Sequence, residues 1–300
     1  MLRRLGYACL CLSVDDSSPR GTILRYATPE RLRALTAANL ARLHRVLDFN
    51  AAHGVRMFRL SSDIVPFGSH PVNAIPWWDE FAEPLAHIGE QIRTSSMRVS
   101  MHPGQYTVLS SPDPRIVDAA RADLVFHTRL LDALATDTRH KIVVHVGGAY
   151  SDKPAALDRW IRAVRMLPDA VRARLVLEND ERLFGAEDVL FASAATGVPV
   201  VLDVLHHRVY AGRCADAALP DLMRRAARTW QPERDDVPKI HYSSQADGLR
   251  PGAHAEYVDA AEFAEFLALA PGDVEFDCML EAKAKDLALF RVRDALGIVA

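Results

Sequence analysis

Eight short apolar runs, separated by longer segments of helical period, constrain the fold of this chain more than any other feature of its sequence. Such alternation predicts parallel βα units. The predicted strands span residues 4–14, 55–60, 98–101, 141–146, 174–178, 200–204, 238–242 and 274–281. Eight units predict an α/β fold with one closed (β/α)8 barrel, a TIM barrel, which typically needs about 250 residues. No linker or low-complexity stretch divides the chain, so residues 1–300 are predicted to form a single domain.

The segments between these runs contain helix start signals. Thr28 and Asp113 are good N-cap residues, and a proline follows each of them at the first helical position. Gly54 is predicted to end the first helix before the second strand. The segment 160–167 carries apolar side chains at helical spacing, which predicts a helix packed on the barrel.

Charge and cysteine usage limit the class of protein. The net charge of -3 gives no global basic surface, so a nucleic-acid partner must be held by a local patch or by bound cations. The four cysteines, Cys9, Cys11, Cys214 and Cys278, form no CxxC pair, and neither a signal peptide nor an apolar span of about 20 residues is evident. These features predict a reduced, soluble, cytoplasmic protein. It is predicted to be a monomer, because no interface heptad or exposed apolar helix is evident.

Metal-capable side chains lie at or near the ends of the apolar runs. They are His102, His145, Glu178, Asp203, His206, His241, His254 and Glu281. In a parallel barrel the carboxyl ends of the strands meet at one mouth. A single histidine there is more often a core residue bonded to a carbonyl, but several carboxylates at one mouth repel each other unless cations neutralise them. The set therefore predicts a polynuclear metal site, and its nitrogen and oxygen ligands fit zinc, manganese or iron.

Lys239 and Glu178 are the predicted catalytic residues. Lys239 is two residues from His241, so in a strand both side chains point into the barrel. A lysine beside cations must be neutral, or carry a carboxyl group derived from carbon dioxide that makes it an anionic ligand; alternatively it reaches outward to phosphate. Glu178 is expected to bridge two ions and to hold an attacking water. His207 is predicted to have a structural role.

The chain resembles the UV damage endonuclease family, whose barrel is related in fold to endonuclease IV and to sugar isomerases. The resemblance covers nearly the whole chain. It rests on nine motifs in the same order: Leu5-Gly-Tyr7, Arg59 to Asp63 with Pro66-Phe67 and Ser69-His70-Pro71, Ser100 to Tyr106, Val144 to Gly148, Leu177 to Asp180, Asp203 to His207, Lys239 to His241, Arg250 to His254, and Met279 to Lys283.

This resemblance implies incision of duplex DNA immediately 5′ to a photoproduct, leaving a 3′-hydroxyl and a 5′-phosphate. The implied substrates are cyclobutane pyrimidine dimers and (6-4) photoproducts, with abasic sites as a further candidate. It also implies a manganese cluster, with zinc or other divalent ions as alternatives. Lys239 is the implied carboxylated lysine. The implied metal ligands are His102, His145, Glu178, Asp203, His206, His241 and Glu281, with His70 and His254 as ligands or phosphate contacts.

The loop after His102 is predicted to recognise damage. Pro103 and Gly104 favour a tight turn that projects Gln105 and Tyr106 outward, where a ring and an amide could enter a disrupted base stack. A tyrosine packed within the loop is the alternative.

Other residues are predicted to contact DNA. Tyr7 resembles a family tyrosine that lies against the displaced nucleotides, although a core tyrosine would look the same. Arg59, Lys153 and Arg250 are expected to reach phosphates. A departure from the family occurs after Tyr7, where Cys11 stands at the usual asparagine position and predicts changed affinity or lesion preference. In contrast, Arg224, Arg225 and Arg228 are predicted to lie on a solvated helix face.

Two other functions fit the same fold. A metal-dependent sugar isomerase or epimerase also uses carboxylates and imidazoles on such a barrel, but it needs a closed polar pocket rather than projecting aromatic residues. A lesion-binding protein without cleavage is disfavoured, because all of the expected ligands are present. The endonuclease, acting on damaged double-stranded DNA, is the preferred interpretation.

Overall fold

Eight parallel strands form a closed barrel in the computed structural model, which describes residues 1–212 and 215–298. Each strand pairs with the next in sequence, and the last pairs with the first. The predicted TIM barrel is therefore confirmed. The strands are β1 (Leu2–Ala8), β2 (Met57–Leu60), β3 (Arg98–Met101), β4 (Lys141–His145), β5 (Leu175–Glu178), β6 (Val200–Asp203), β7 (Lys239–Tyr242) and β8 (Phe276–Leu280).

Helices connect the strands. Thr28 and Asp113 cap the helices that begin at Pro29 and Pro114 as predicted, since their side chains accept hydrogen bonds from the backbone N–H groups of Arg31 and Arg115. Gly54 follows the end of the first of these helices with φ of 65°. The helices are α1 (Pro29–Ala52), α2 (Trp77–Glu80), α3 (Ala82–Thr94), α4 (Pro114–Ala133), α5 (Lys153–Arg165), α6 (Asp169–Arg174), α7 (Ala186–Thr196), α8 (Val204–Ala211), α9 (Ala215–Ala227), α10 (Pro232–Asp235), α11 (Ala260–Leu269) and α12 (Lys285–Leu296).

The first strand is shorter than predicted. The apolar run predicted a strand over residues 4–14, but β1 ends at Ala8 and Cys9 has φ of 70°, which extended backbone does not adopt. Beyond it the chain turns toward α12, where the Asp286 carboxylate accepts a hydrogen bond of 3.1 Å from the Ser13 backbone N–H. The apolar pattern continued past the strand because Cys11 remains buried in the core.

Buried ion pairs fill the amino-terminal end of the barrel. Arg98 on β3 donates to Asp277 on β8 at 2.7 Å and to the Asp235 carbonyl at 2.6 Å. Lys141 on β4 lies 2.5 Å from the Asp235 carboxylate. These groups are almost fully buried, and each charge has a partner, which is the condition under which buried charges are tolerated. The carboxyl-terminal mouth is therefore the end of the barrel that is available for a ligand site.

A close approach between β1 and β2 gives the first prediction. A Cβ at Gly6 would lie 2.2 Å from the Met57 carbonyl oxygen, which is backbone and cannot move aside alone. We expect Gly6→Ala to lower the free energy of unfolding by about 3 kcal/mol. Gly21→Ala is the matched control, because a Cβ there meets nothing within 4 Å. Chemical denaturation measures both variants, and equal stability of the two would contradict this packing.

None of the helices in the described ranges is long and apolar enough to cross a lipid bilayer. Cys9, Cys11 and Cys278 are free thiols, and Cys214 lies outside the described residues. The described cysteines therefore do not crosslink the fold.

Candidate metal centre

The predicted ligands come together because they occupy equivalent positions along the barrel. His145, Glu178 and Asp203 are the last residues of β4, β5 and β6. His102 and Glu281 follow β3 and β8 directly, His241 lies within β7, and His206 lies in the first turn of α8. Parallel strands deliver all of these side chains to the carboxyl-terminal mouth.

Glu178 is the common member of three groups of side chains that could each hold a metal ion. It is only 1% exposed. The groups are His102, His145 and Glu178; Glu178, Asp203 and His206; and Glu178, His241 and Glu281, with the ligand atoms of each group within 4.8 Å of one another. A carboxylate has two oxygens and can therefore serve neighbouring ions.

The two oxygens of Glu178 face different imidazoles. Its Oε2 lies 3.0 Å from His102 Nε2 and 3.5 Å from His145 Nε2. Its Oε1 lies 2.6 Å from His241 Nδ1. Burial raises the pKa of Glu178, but His241 and His145 outweigh this effect and hold the pKa well below its ordinary value. Glu178 is therefore an anion at neutral pH.

Asn179 orients the second group. Its side chain donates to the Asp203 carbonyl at 3.1 Å and accepts from the Asp203 N–H at 2.9 Å. Its own carbonyl lies 3.0 Å from His206 Nδ1, which makes that nitrogen a hydrogen-bond donor and leaves Nε2 as the nitrogen that could bind a metal after losing its proton. Sequence reasoning did not select Asn179, although it directly follows Glu178 at the end of an apolar run.

Asp203 shows that the donor set fits a cation. One carboxylate oxygen, Oδ1, accepts from the His206 N–H at 2.7 Å, whereas Oδ2 is buried without a hydrogen-bond partner among the described residues. Burial raises the pKa of Asp203 to about 8 although His206 opposes this, and Glu178 and Glu281 add to the rise. Burial lowers the pKa of His206, but Asp203 and Glu178 raise it to about 9. A divalent cation would satisfy Oδ2 and remove the repulsion between the carboxylates.

The third group includes an internal counter-ion. His241 Nδ1 lies 3.2 Å from the Glu281 carboxylate, which also forms a buried ion pair with Arg59. Burial lowers the pKa of His241 to about 4, so the imidazole is neutral at pH 7, the form that binds metal. His254 lies beside this group, with Nδ1 3.7 Å from Glu281. Arg59 neutralises part of the charge that the carboxylates contribute.

Lys239 lies inside the barrel, as predicted from its spacing to His241. It is almost completely buried. Burial, with Arg98 and Arg59 nearby, lowers its pKa well below the ordinary value. Burial beneath the metal-binding groups therefore shifts this side chain toward its neutral amine form.

His70 does not join the three groups. It is exposed on the loop after β2, where its Nδ1 accepts a hydrogen bond of 3.0 Å from the Val72 N–H. The imidazole instead lies against Phe67. His207, predicted to be structural, is buried, and its Nε2 bonds the Ala215 carbonyl at 3.0 Å.

Two predicted DNA contacts need correction. Tyr7 is 0% exposed, packs against Phe58 and donates from its hydroxyl to Asn50 of α1 at 2.6 Å. Side chains alternate along a strand, and Tyr7 falls on the face of β1 that meets the helices rather than the mouth. Arg59 is buried in its ion pair with Glu281 and offers no exposed guanidinium to a phosphate. Cys11 is also fully buried, so the position that usually holds asparagine does not reach the surface.

Gln105, Tyr106 and Arg250 are exposed at the mouth, as predicted. Tyr106 is 81% exposed, and a cleft of about 220 Å³ lies between its loop and the metal-binding groups. Arg250 lies in the segment after β7, 4.0 Å from Glu181. Lys153 instead pairs with Asp188 at 2.6 Å.

Arg224 and Arg225 lie on a solvated face of α9, as predicted, whereas Arg228 is exposed but follows the end of that helix. Arg224 pairs with Asp273, and Arg225 pairs with Glu187. All four side chains are more than a third exposed, so these pairs contribute little to stability.

Comparison with known proteins identifies the family. The model of the family described as UV-endonuclease UvdE matches residues 3–299. The UV DNA damage endonuclease of Bacillus velezensis is 35% identical over 308 residues, which cover 100% of this chain and 95% of that protein. The UV DNA damage endonuclease of Clostridium perfringens is 34% identical over 98% of this chain and 70% of that protein.

Solved structures agree with this assignment. The crystal structure of SacUVDE superposes with a TM-score of 0.90 at 34% identity, covering 98% of both chains. A D-psicose 3-epimerase from Clostridium cellulolyticum H10 gives a TM-score of 0.58 at 14% identity and therefore shares the fold alone. The chain thus belongs to the UV-endonuclease UvdE family.

Proposed function

We propose that this protein is a UV DNA damage endonuclease that nicks duplex DNA immediately 5′ to cyclobutane pyrimidine dimers and (6-4) photoproducts. The products are a 3′-hydroxyl and a 5′-phosphate. Family membership supports the substrate class, and the sharing of Glu178 by three metal-binding groups is the observation that carries the chemistry. The sugar epimerase alternative has support from the fold alone.

Manganese is the proposed metal. Bound divalent ions supply a Lewis acid for the scissile phosphate and lower the pKa of a bound water. Eight residues would hold them: His102, His145, Glu178, Asp203, His206, His241, Glu281 and, beside them, His254. His70 would need to move to take part, because it now bonds its own loop.

Lys239 is proposed to carry a carboxyl group. A neutral amine can add to carbon dioxide, forming an N–C bond while one proton leaves to solvent. Its burial beneath the metal-binding groups, and its lowered pKa, support this form. The resulting carbamate would contribute an anionic oxygen where an ammonium would repel cations.

Glu178 is proposed to position the attacking water. Its carboxylate stays ionised because the surrounding imidazoles lower its pKa, so it can accept a hydrogen bond from that water. Asn179 fixes Asp203 and His206 beside it. Phosphodiester hydrolysis at this site therefore does not require a nucleophilic side chain.

The Gln105–Tyr106 loop is proposed to read damage. Two hydrogen bonds hold the base of this loop, from Thr107 Oγ1 to Asp123 at 2.6 Å and from Ser110 Oγ to the Gly148 carbonyl at 3.0 Å. Tyr106 is thus presented on an anchored loop rather than on a free one. A photoproduct weakens base stacking and lowers the cost of inserting a ring.

Tyr106→Ala tests this role. Stacking of a base on an aromatic ring is worth about 1–3 kcal/mol, so we expect kcat/KM for damaged duplex to fall about 10- to 100-fold. Metal content and thermal stability should not change. Phe191→Ala, which removes an exposed ring from α7, is the matched control. An unchanged kcat/KM for Tyr106→Ala would show that the ring of Tyr106 does not contribute to damage recognition.

The incision assay tests the proposed function. An end-labelled duplex with one cyclobutane dimer is incubated with manganese-loaded protein, with or without chelator, and the product is mapped to the nucleotide. We expect a metal-dependent nick directly 5′ to the dimer and none in undamaged duplex. Bound metal without any nick would contradict the endonuclease, and sugar substrates would then be tested.

A further inference from the structure

A cleft of about 300 Å³ lies on the outer side of the barrel between α4 and α5. Three arginines line it: Arg121 of α4, and Arg159 and Arg162 of α5. Ser111 and Pro112, from the loop that precedes α4, form its edge. These arginines are 38 or more positions apart between the two helices, so only the packed structure brings them together.

The three guanidinium groups are not neutralised internally. Within the described ranges, none of them has a carboxylate within 4.0 Å, whereas both arginines of α9 do. Arg121 Nε and one terminal nitrogen of Arg159 are buried without a hydrogen-bond partner among the described residues. Asp118 is the acidic residue that shares the cleft, which leaves an excess of positive charge. Buried N–H donors without partners indicate that an acceptor is missing.

The cleft belongs to the same end of the molecule as the metal-binding groups. Helices α4 and α5 begin at the carboxyl-terminal mouth and run away from it, and helical side chains tilt toward the N-terminus of their helix. Arg121 and Arg159 therefore lean toward the mouth. Arg159 Nε donates to the Ser110 carbonyl at 2.7 Å, in the loop that carries Tyr106.

We propose that Arg121, Arg159 and Arg162 bind backbone phosphates of the DNA duplex on one side of the lesion, an inference that rests on the proposed function. Guanidinium groups match phosphate oxygens with paired N–H donors. A chain with a net charge of -3 needs a local basic patch to hold DNA, and this cleft provides one. Phosphate contacts carry no sequence information, which suits an enzyme that acts wherever damage occurs.

The salt dependence of binding tests this proposal. Binding of manganese-loaded protein to undamaged duplex, which is not incised, is measured by fluorescence anisotropy across salt concentrations. Each phosphate contact contributes about 0.9 to the slope of log K against log salt. We expect the double variant Arg121→Gln/Arg162→Gln to flatten the slope by about 2 and to weaken binding roughly tenfold.

Two further variants serve as controls. Arg121→Lys/Arg162→Lys keeps the charge and should keep the slope. Arg56→Gln/Arg172→Gln removes two exposed charges at the opposite end of the barrel, just before β2 and β5, and should leave binding unchanged. For the damaged duplex, the cleft variant should raise KM and preserve kcat, because the metal-binding groups are untouched.

The possible outcomes separate this proposal from the proposed function. Wild-type incision with an unchanged slope in the cleft variant would overturn the phosphate contacts and leave the endonuclease intact. Loss of inorganic pyrophosphate binding in the variant, without a change in the DNA slope, would make the cleft a small-anion site and also overturn the proposal. A flattened slope in a protein that does not nick damaged duplex would support the DNA contacts and reject the endonuclease.

Discussion

The substitution Glu178→Gln is expected to lower kcat/KM for a damaged duplex by roughly 10³-fold or more. Glutamine keeps the size of the side chain but removes the negative charge that three metal-binding groups share. The amide also has one acceptor oxygen instead of two, so it cannot serve His102 and His241 in the same way. The variant should therefore hold less metal and lose incision together.

A matched control separates this effect from a general loss of charge. Glu187→Gln removes an exposed carboxylate on α7 that pairs with Arg225 and belongs to none of the three metal-binding groups, and it is expected to retain full activity. Thermal unfolding with chelator verifies that Glu178→Gln folds. Activity of the folded Glu178→Gln variant within tenfold of wild type would show that Glu178 is not the shared ligand.

Metal removal is expected to abolish incision and to make stability depend on pH through Asp203. In the metal-free protein the pKa of Asp203 is about 8 in the folded state, against about 3.9 in an unfolded chain. The folded state therefore binds an extra proton between these values, and the contribution of this carboxyl to stability falls as pH rises from about 4 to 8. His206, with a folded pKa of about 9, loses its stabilising contribution as pH rises from about 6.5 to 9.

Asp203→Asn removes this contribution together with the rise that Asp203 causes in the pKa of His206. Asparagine can still accept the hydrogen bond from the His206 N–H but carries no charge. In chelator, we expect the variant to gain about 1–3 kcal/mol relative to wild type between pH 6 and pH 8.5, since one pKa unit corresponds to about 1.4 kcal/mol. With manganese the order reverses, because wild type alone keeps the anionic ligand. Urea denaturation measures both, with the exposed Asp273→Asn as control. A stability difference that does not vary with pH in chelator would contradict the assigned protonation of Asp203.

The barrel and its ligands were predictable because both depend on strand position. Glu178 and Asp203 are the last residues of apolar runs, and parallel strands bring such ends together irrespective of loop conformation. The end of β1 was not predictable, because an apolar pattern does not reveal the positive φ of Cys9. Tyr7 was misplaced for a related reason: the pattern shows that it is buried but not which face of β1 it occupies.

The contacts between helices could not be predicted from the sequence. In the sequence, Arg121 and Arg159 cannot be distinguished from ordinary solvated arginines on amphipathic helices. The cleft that they share is formed by the packing of α4 against α5. The role of Asn179 likewise depends on hydrogen bonds to a neighbouring strand, which the sequence does not show. Sequence alone identified the residues that meet at the mouth better than those that position them.

The most direct test of the metal centre is its manganese content, measured on one loaded sample by mass spectrometry and by anomalous scattering from crystals. We predict three ions per chain, one at each group that includes Glu178, and a marked loss of manganese in Glu178→Gln. An active wild-type protein with a single ion, or one whose manganese content does not change in Glu178→Gln, would contradict the shared-carboxylate centre.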